Sequence, residues 1–267
     1  MNEFYGWGNM SAERRTEIPE RIDPDAILEA LVEFRFEHSE LPELVLGRLL
    51  DAQLWESHTQ TRLPAADIPN PLRVMDANLR YQPLVELRKS NGDRVAKIGS
   101  HVISYHIVGR YPGWATFRLE IERTLQEVIT KLKSPQFLRV GLRYINALRP
   151  DEHYVRGLAD TNIIIKVGDR ALTESVAVNY NRTFGANHTV TVKVATPDLV
   201  TGNIRAGYSL LCDIDVGSKA GNTITDCAGA IAWIDEAHIL EKTEFFSILP
   251  ENIINKLVAA TGGNNNG

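Results

Sequence analysis

Residues 114–148, WATFRLEIERTLQEVITKLKSPQFLRVGLRYINAL, contain the two most regular patterns in the chain. In residues 114–132 the apolar positions recur at steps of three and four, which predicts an amphipathic helix with one buried stripe. The residues of that stripe are Trp114, Phe117, Ile121, Leu125, Val128 and Leu132. Apolar and polar residues then alternate over residues 137–148, which predicts a strand. A helix of this kind followed by a strand indicates an α+β protein in which the helix covers one face of a sheet.

The same two patterns run through the rest of the chain. Residues 27–36 alternate as a strand, and an Asn91-Gly92 turn joins two further strand-like runs. Residues 57–71 contain three prolines and are predicted to be a loop. The second half repeats the order of the first, with strand-like runs before a long helix. The sequence therefore predicts an α+β fold of two similar lobes, each a mostly antiparallel sheet with helices packed on one face.

This prediction divides the chain into four segments. Residues 1–24 are predicted to be a flexible N-terminal arm, because they are polar and lack a regular apolar pattern. Residues 25–150 form the predicted N-terminal α+β lobe, and residues 151–261 form the C-terminal one. Residues 262–267 consist of glycine and asparagine, and this composition predicts a disordered tail.

The composition narrows the classes of protein. The chain has 267 residues, of which 43% are hydrophobic and 24% are charged, as in ordinary globular proteins. Its formal net charge of −5 gives no bulk positive field, which disfavours nucleic acid as a partner. No apolar run approaches the roughly 20 residues that span a bilayer, and no signal peptide is recognisable. The sequence therefore predicts a cytoplasmic protein that does not bind a membrane.

The local motifs that mark common enzymes and cofactor sites do not occur in the sequence. It has no GxxxxGK[ST] phosphate loop, no GxGxxG fingerprint, no HExxH, no CxxC and no GxSxG. Its two cysteines do not make a disulfide framework. The sequence therefore predicts no catalytic, cofactor-binding or metal-binding residue, and it favours a protein that is not an enzyme.

Three arginines are the candidate functional residues. Arg35, Arg139 and Arg143 lie on the faces of their predicted strands opposite the apolar side chains. If these strands are neighbours, the arginines form a positive stripe, and guanidinium groups suit carboxylate or phosphate. They are therefore candidates for protein interaction or anion binding. The alternative, which we favour, is a structural network of ion pairs. Its acidic members would be Glu29, Glu33 and Glu86.

Other polar residues are weaker candidates. Asp213 and Asp215 share one strand face and are a starting point for a divalent-cation site, but a solvated strand face is the favoured alternative. His101 and His106 fall on opposite faces of a strand and are predicted to be surface or edge histidines. His238 lies on the apolar side of its helix and is predicted to be a hydrogen-bonded core histidine.

Four short segments of the sequence also occur together, in the same order, in other proteins. They are ILEALVEFRF at 27–36, YPGWATF at 111–117, RVGLRYIN at 139–146 and CDID at 212–215. In these segments the chain resembles an uncharacterised, sporadically distributed bacterial protein family. That family has no established activity, and its scattered distribution implies a role in an accessory module such as phage defence or toxin–antitoxin systems.

Two functional hypotheses follow. The first is a non-enzymatic binding or regulatory protein whose partner is another protein encoded nearby, with a homo-oligomer as an open alternative. The second is a ligand- or nucleotide-sensing protein, or a hydrolytic one, with its site between the two lobes. The missing motifs favour the first hypothesis, and the arginines with Asp213 and Asp215 motivate the second.

Overall fold

A single large sheet organises the protein. The computed structural model describes residues 18–132, 135–200, 207–219, 221, 224 and 226–262. Residues 1–17 of the predicted arm and 263–267 of the predicted tail lie outside this range. The main sheet has nine strands, all paired antiparallel. In their order across the sheet they are β2 (His58–Arg62), β3 (Val85–Lys89), β4 (Arg94–Ile98), β5 (Val102–Val108), β1 (Ile27–Glu37), β6 (Gln136–Leu148), β11 (Leu210–Ser218), β10 (His188–Ala195) and β9 (Ala177–Phe184).

The helices pack against this sheet. The two long ones, α4 (Trp114–Lys131) and α6 (Cys227–Ile248), contact each other as well as the strands beneath them. A small separate hairpin consists of β7 (Lys166–Val167) and β8 (Arg170–Ala171). The predicted α+β class, with an antiparallel sheet and packed helices, is confirmed. The helices are α1 (Pro42–Leu50), α2 (Asn70–Met75), α3 (Ala77–Arg80), α4 (Trp114–Lys131), α5 (Pro150–His153), α6 (Cys227–Ile248) and α7 (Glu251–Gly262).

Strands from both halves of the chain share the main sheet. The strand β6 lies between β1 and β11, and it is hydrogen-bonded to both of them. The sheet is therefore continuous across residue 150, where the sequence places the boundary between two lobes. The division into lobes stays a prediction.

The core lies between the helices and one face of the sheet. In β1 the side chains of Val32, Phe34 and Phe36 are buried, whereas the residues between them are only partly buried. Phe34 packs edge-to-face on Phe137 with ring centroids 5.9 Å apart. Each large apolar side chain buried in this way stabilises the fold by roughly 1.5–3 kcal/mol relative to exposure. Alternation along the strand thus fixes which face of β1 points to the helices.

Two local predictions need correction. Residues 57–71 are predicted to be a loop, but His58–Arg62 forms β2, a strand at the edge of the sheet. Its sequence, HTQTR, has no apolar alternation, because the strand is largely exposed and is held by backbone pairing with β3. In α4 the stripe from Phe117 onward is buried as predicted, but Trp114 is only partly buried. Among the described helices, none combines the length and the apolar character needed to cross a membrane.

Candidate functional site

The three predicted arginines lie on the side of the sheet that the core does not use. Arg35 of β1 is directly opposite Arg139 of β6, and Arg143 of β6 is opposite Asp215 of β11. Because side chains alternate along each strand, this register places all of them on one face. We call it the arginine face, defined by Arg35, Arg139 and Arg143.

Each of these arginines binds a carboxylate of the same chain. Arg143 donates from Nε and Nη2 to both carboxylate oxygens of Asp213, at 2.6 Å each. Arg139 donates to Glu33 at 2.8 Å and to Asp215 at 3.0 Å. The Nε of Arg35 donates to the same oxygen of Glu33, at 2.8 Å. The two sets of candidate residues in the sequence, arginines and aspartates, therefore satisfy each other.

The ion pairs differ in part from the predicted network. Glu33 binds arginines as predicted. Glu86 instead pairs with Arg88 of its own strand at 2.9 Å, and Glu29 contacts His106. The reason is geometric: the predicted network lacked the β6–β11 pairing, which brings Asp213 and Asp215 within reach of the arginines.

Arg139 lies over two glycines that face each other across β6 and β11. Gly141 is directly opposite Gly217. A Cβ atom built on Gly141 would lie 2.6 Å from Nη1 of Arg139, and one on Gly217 would lie 3.0 Å from Nη2. The missing side chains leave the space in which this guanidinium group reaches both Glu33 and Asp215.

The described residues contain no group of three or more histidine, cysteine or acidic side chains that could hold a metal ion. Asp235, close to His238 in α6, instead forms a bidentate pair with Arg118 of α4 at 2.8 and 3.0 Å. The prediction that His101 and His106 are surface or edge histidines is wrong. Both are buried, because β5 lies inside the sheet.

A hydrogen-bonded chain of three side chains crosses β5 and β1. The hydroxyl of Ser104 lies 2.7 Å from Nε2 of His106, and Nδ1 of His106 lies 2.6 Å from a carboxylate oxygen of Glu29. This is the order of groups, hydroxyl, imidazole and carboxylate, that activates a serine for nucleophilic attack. Ser104 is only 7% exposed, so access to it from solvent is narrow.

A large cavity, of about 1770 Å³, lies at one end of the sheet. It lies where β1 begins and where β5 and β6 end, and α4 and α6 form another wall. Arg110, Ala115 and Ile239 are exposed at its rim. A cavity of this size is ample for a small organic molecule.

Three side chains around this cavity carry polar groups without a hydrogen-bond partner in the described part of the chain. The side chains of Asn146 and Glu241 are 3% and 4% exposed. The Nδ2 atom of Asn146 and the Nδ1 atom of His238 are buried, and neither forms a hydrogen bond with a described residue. No hydrogen bond or ion pair to Glu241 occurs among the described residues. Such groups are rare in folded proteins, because an unpaired buried polar group destabilises by roughly 1–3 kcal/mol.

Aromatic side chains complete the wall of the cavity. Trp114 and His238 stack with ring centroids 3.9 Å apart and planes 12° from parallel. The hydroxyl groups of Tyr111 and Tyr144 lie 2.9 Å apart and share a hydrogen bond. The prediction of His238 as a hydrogen-bonded core histidine is wrong, because its helix position faces Trp114 and the cavity rather than a backbone partner.

Burial changes the ionisation of these groups. Loss of water raises the pKa of Glu241 to about 8, and the negative charge of Asp25 adds to this effect while Lys242 opposes it. Burial also lowers the pKa of His238 to about 3, with a smaller contribution from Lys242. At neutral pH the carboxyl of Glu241 is therefore mostly protonated and the imidazole of His238 is neutral.

The position of Glu241 in the sequence indicates that this residue is buried, although a search for known motifs does not detect it. In α6 the buried positions Ala230, Ile234, Ala237 and Ile248 recur at helical spacing, and Glu241 falls on the same stripe. A carboxylate on an apolar stripe marks either a buried ion pair or a site. Asn146 carries no comparable signal, because its burial depends on the pairing of β6 with β1 and β11.

No protein-family profile matches the chain, and no curated protein matches it. Among solved structures it is similar to the substrate-free duplicated taurocyamine kinase from Schistosoma mansoni, with a TM-score of 0.36 and 10% identity, over 80% of this chain and 33% of that chain. The same kinase with bound transition state analog components gives a TM-score of 0.36 and 11% identity, over 81% and 33%. The chain thus spans about a third of the length of these kinases. A likeness at this level does not establish a shared family or function.

Proposed function

We propose that this protein binds a small organic molecule in the cavity between the end of the sheet and helices α4 and α6. The observation that carries the proposal is the pair of unpartnered buried nitrogens, on Asn146 and His238, beside the buried carboxyl of Glu241 around one cavity of the described chain. They come from two elements, β6 and α6, that are distant in sequence. A ligand with hydrogen-bonding groups would satisfy all three at once.

The aromatic residues support the same function. Trp114, Tyr111 and Phe245 give the cavity flat apolar surfaces in addition to the polar groups that line it. Binding sites for small molecules combine a mostly apolar wall with a few polar groups that fix the orientation of the ligand. The proposal corresponds to the ligand-sensing hypothesis, with the site placed at the end of the sheet. A protein partner from an accessory module stays a prediction.

The test is whether a ligand is bound, and where. Native mass spectrometry of the full chain purified from its own host, with a thermal-shift screen of metabolites, detects a bound or binding molecule. We expect a compound that raises the melting temperature, and we expect Trp114→Ala to abolish the shift. Leu119→Ala is the matched control, because Leu119 lies on the same helix with 51% of its surface exposed and outside the cavity. A chain with no copurified molecule and no shift with any compound contradicts the proposal.

The chain Ser104–His106–Glu29 supports a second candidate function, hydrolysis of an ester or amide. In that reaction the Ser104 oxygen attacks the carbonyl carbon while His106 takes the hydroxyl proton at Nε2, and the proton then passes to the leaving group as its bond to the carbonyl carbon breaks. A water molecule that gives a proton to His106 then attacks the acyl-Ser104 ester, which releases the acid and returns the proton to Ser104. The 2.7 and 2.6 Å contacts favour this candidate. We expect a fluorophosphonate probe to label Ser104 and not the variant Ser104→Ala. Absence of label from the folded wild-type chain rules the candidate out.

A further inference from the structure

The inner part of the cavity carries acidic groups that form no ion pair within 4 Å with a cation among the described residues. Glu241 is almost fully buried, and Asp25 from the segment before β1 lines the same cavity. Lys242 follows Glu241 in the helix, but no ion pair between them within 4 Å occurs in the described part of the chain. Arg94 and Arg149 also line the cavity, but they are bound to Glu120 and Glu152. Arg21 and Arg110 line the cavity as well, but both are exposed and neither forms an ion pair with Glu241 among the described residues. A bound cation would therefore give Glu241 a charged partner.

The side chains around Glu241 suit such a charge. Tyr111, Trp114 and Phe245 present rings to the cavity, and the faces of aromatic rings attract cations. The hydroxyl oxygens of Tyr111 and Tyr144 can accept hydrogen bonds from an ammonium group. The carboxyl of Glu241 and these rings together give one part of the cavity an aromatic wall beside a buried acid.

We propose that the ligand is a protonated organic amine whose ammonium group pairs with Glu241 and whose apolar part lies against Trp114 and Tyr111. This inference rests on the proposed function, since it names the class of molecule that the cavity binds. An uncharged ligand could hydrogen-bond to the protonated carboxyl of Glu241, but it would leave the ionised form without a charged partner. An anionic ligand would add a second negative charge to a cavity that already holds Asp25.

The pairing makes binding depend on pH. The pKa of Glu241 is raised to about 8, so an ammonium ligand binds only after this carboxyl loses its proton. The charged or titratable groups that face it are Asp25 before β1, Tyr111 before α4, Tyr144 in β6, and His238 and Lys242 in α6. None of the tyrosines ionises below pH 8, because burial raises the pKa of both. Affinity for an amine should therefore rise by up to about tenfold per pH unit between pH 6 and 8.

Isothermal titration of the full chain with three matched probes tests the inference. They are 2-phenylethylamine, the neutral 2-phenylethanol and the anionic phenylacetate. We expect the amine to bind at least about tenfold more tightly than the alcohol at pH 7.5, and the anion to bind most weakly. Titrations in buffers of different ionisation enthalpy should show that close to one proton is released per amine bound at pH 6.5.

Variants separate the role of Glu241 from a change in folding. We expect Glu241→Gln to weaken amine binding at least about tenfold and to abolish its pH dependence, while its melting temperature shows that it is folded. Lys242→Ala is the matched control and should keep or strengthen amine binding. Equal binding of alcohol and amine, binding of neither, or an unaltered Glu241→Gln variant overturns the amine inference. The proposed function fails only when the thermal-shift screen and native mass spectrometry also find no bound molecule.

Discussion

The arginine face and the cavity both carry polar side chains, but those on the arginine face are paired with one another, whereas several around the cavity have no partner in the described chain. On the arginine face, Arg143 finds Asp213, and Arg139 finds Glu33 and Asp215. Around the cavity, Asn146 and His238 each hold a buried nitrogen that has no hydrogen-bond partner in the described chain. Paired groups stabilise the fold, whereas unpaired buried groups weaken it and persist where function uses them. The difference supports our proposal that a ligand binds in the cavity rather than on the arginine face.

Helix α6 repeats this contrast within one turn. Glu244 is 1% exposed, and its carboxylate binds Arg182 at 2.5 Å and Tyr180 at 3.4 Å. Glu241, three residues earlier, is buried to nearly the same extent and has no hydrogen bond or ion pair with a described residue. These two glutamates form a matched pair, because they share a helix, a residue type and a degree of burial. The predicted effects of changing them have opposite signs.

The largest effect is expected for Glu241→Gln at alkaline pH. The pKa of Glu241 is about 8 in the folded protein, against an ordinary value of 4.5, so the unfolded state ionises first. The free energy of unfolding therefore falls as pH rises from 4.5 to 8 and is fully reduced above 8. Glutamine removes this loss, so we expect it to stabilise the protein by roughly 3–5 kcal/mol at pH 9. At pH 4 the variant should match the wild type.

Urea unfolding at pH 4, 7 and 9 measures this effect. The matched variant Glu244→Gln should instead destabilise the protein at pH 7, by about 1 kcal/mol, because the half-exposed guanidinium of Arg182 loses its charged partner. Burial raises the pKa of Glu244 as well, but Arg182 and Tyr180 oppose this shift. If Glu241→Gln destabilises the protein at pH 9 as much as Glu244→Gln does, the two carboxyls are equivalent and the contrast between paired and unpaired groups fails.

On the arginine face, removing a charge should weaken the fold. Arg143→Met leaves the carboxylate of Asp213, whose side chain is 12% exposed, without its two hydrogen bonds. We expect a loss of about 2 kcal/mol in unfolding free energy. The control is Arg62→Met, since Arg62 and Asp67 are paired at 68% and 73% exposure and such surface pairs contribute little. A loss as small as that of the control would mean that water stabilises the carboxylate of Asp213 as well as Arg143 does.

A smaller gain is expected for Asn146→Val. The amide of Asn146 is buried with its Nδ2 atom unpaired among the described residues, and valine suits a strand. The variant should be about 1 kcal/mol more stable than the wild type without ligand. The same substitution should weaken binding of any ligand that hydrogen-bonds to this amide. Loss of stability in the ligand-free chain, measured by urea unfolding, would show that Asn146 has a structural partner in solution.

The fold could be predicted from the sequence to the extent that it depends on local alternation and helical spacing. Residues 27–36, 137–148 and 114–132 have such patterns, and all three form the expected elements. The strand β2 does not have one, since its stability comes from pairing with β3 at the exposed edge. Local patterns describe the residues of one element and carry no information about which strands are neighbours.

The site could not be predicted for the same reason. Whether Arg143 is free or paired depends on the register of β6 against β11, which unites residues 70 positions apart in the sequence. The arginines therefore stand out in the sequence although their partners lie beside them in the fold. The cavity residues Asn146 and Glu241 do not stand out, because a lack of partners is a property of the assembled structure. Only the place of Glu241 on an apolar helix stripe is visible beforehand.

The smallest effect separates packing from charge on the arginine face. Gly141→Ala puts a methyl group 2.6 Å from Nη1 of Arg139, so the guanidinium must move away from Glu33 and Asp215. We expect a loss of about 1 kcal/mol in unfolding free energy. In an Arg139→Met background, which removes the guanidinium, the same change should become neutral or stabilising by about 0.5 kcal/mol, because alanine is less flexible than glycine when unfolded. A double-mutant cycle by urea unfolding measures both values, and equal losses in the two backgrounds would show that Gly141 does not serve the Arg139 ion pairs.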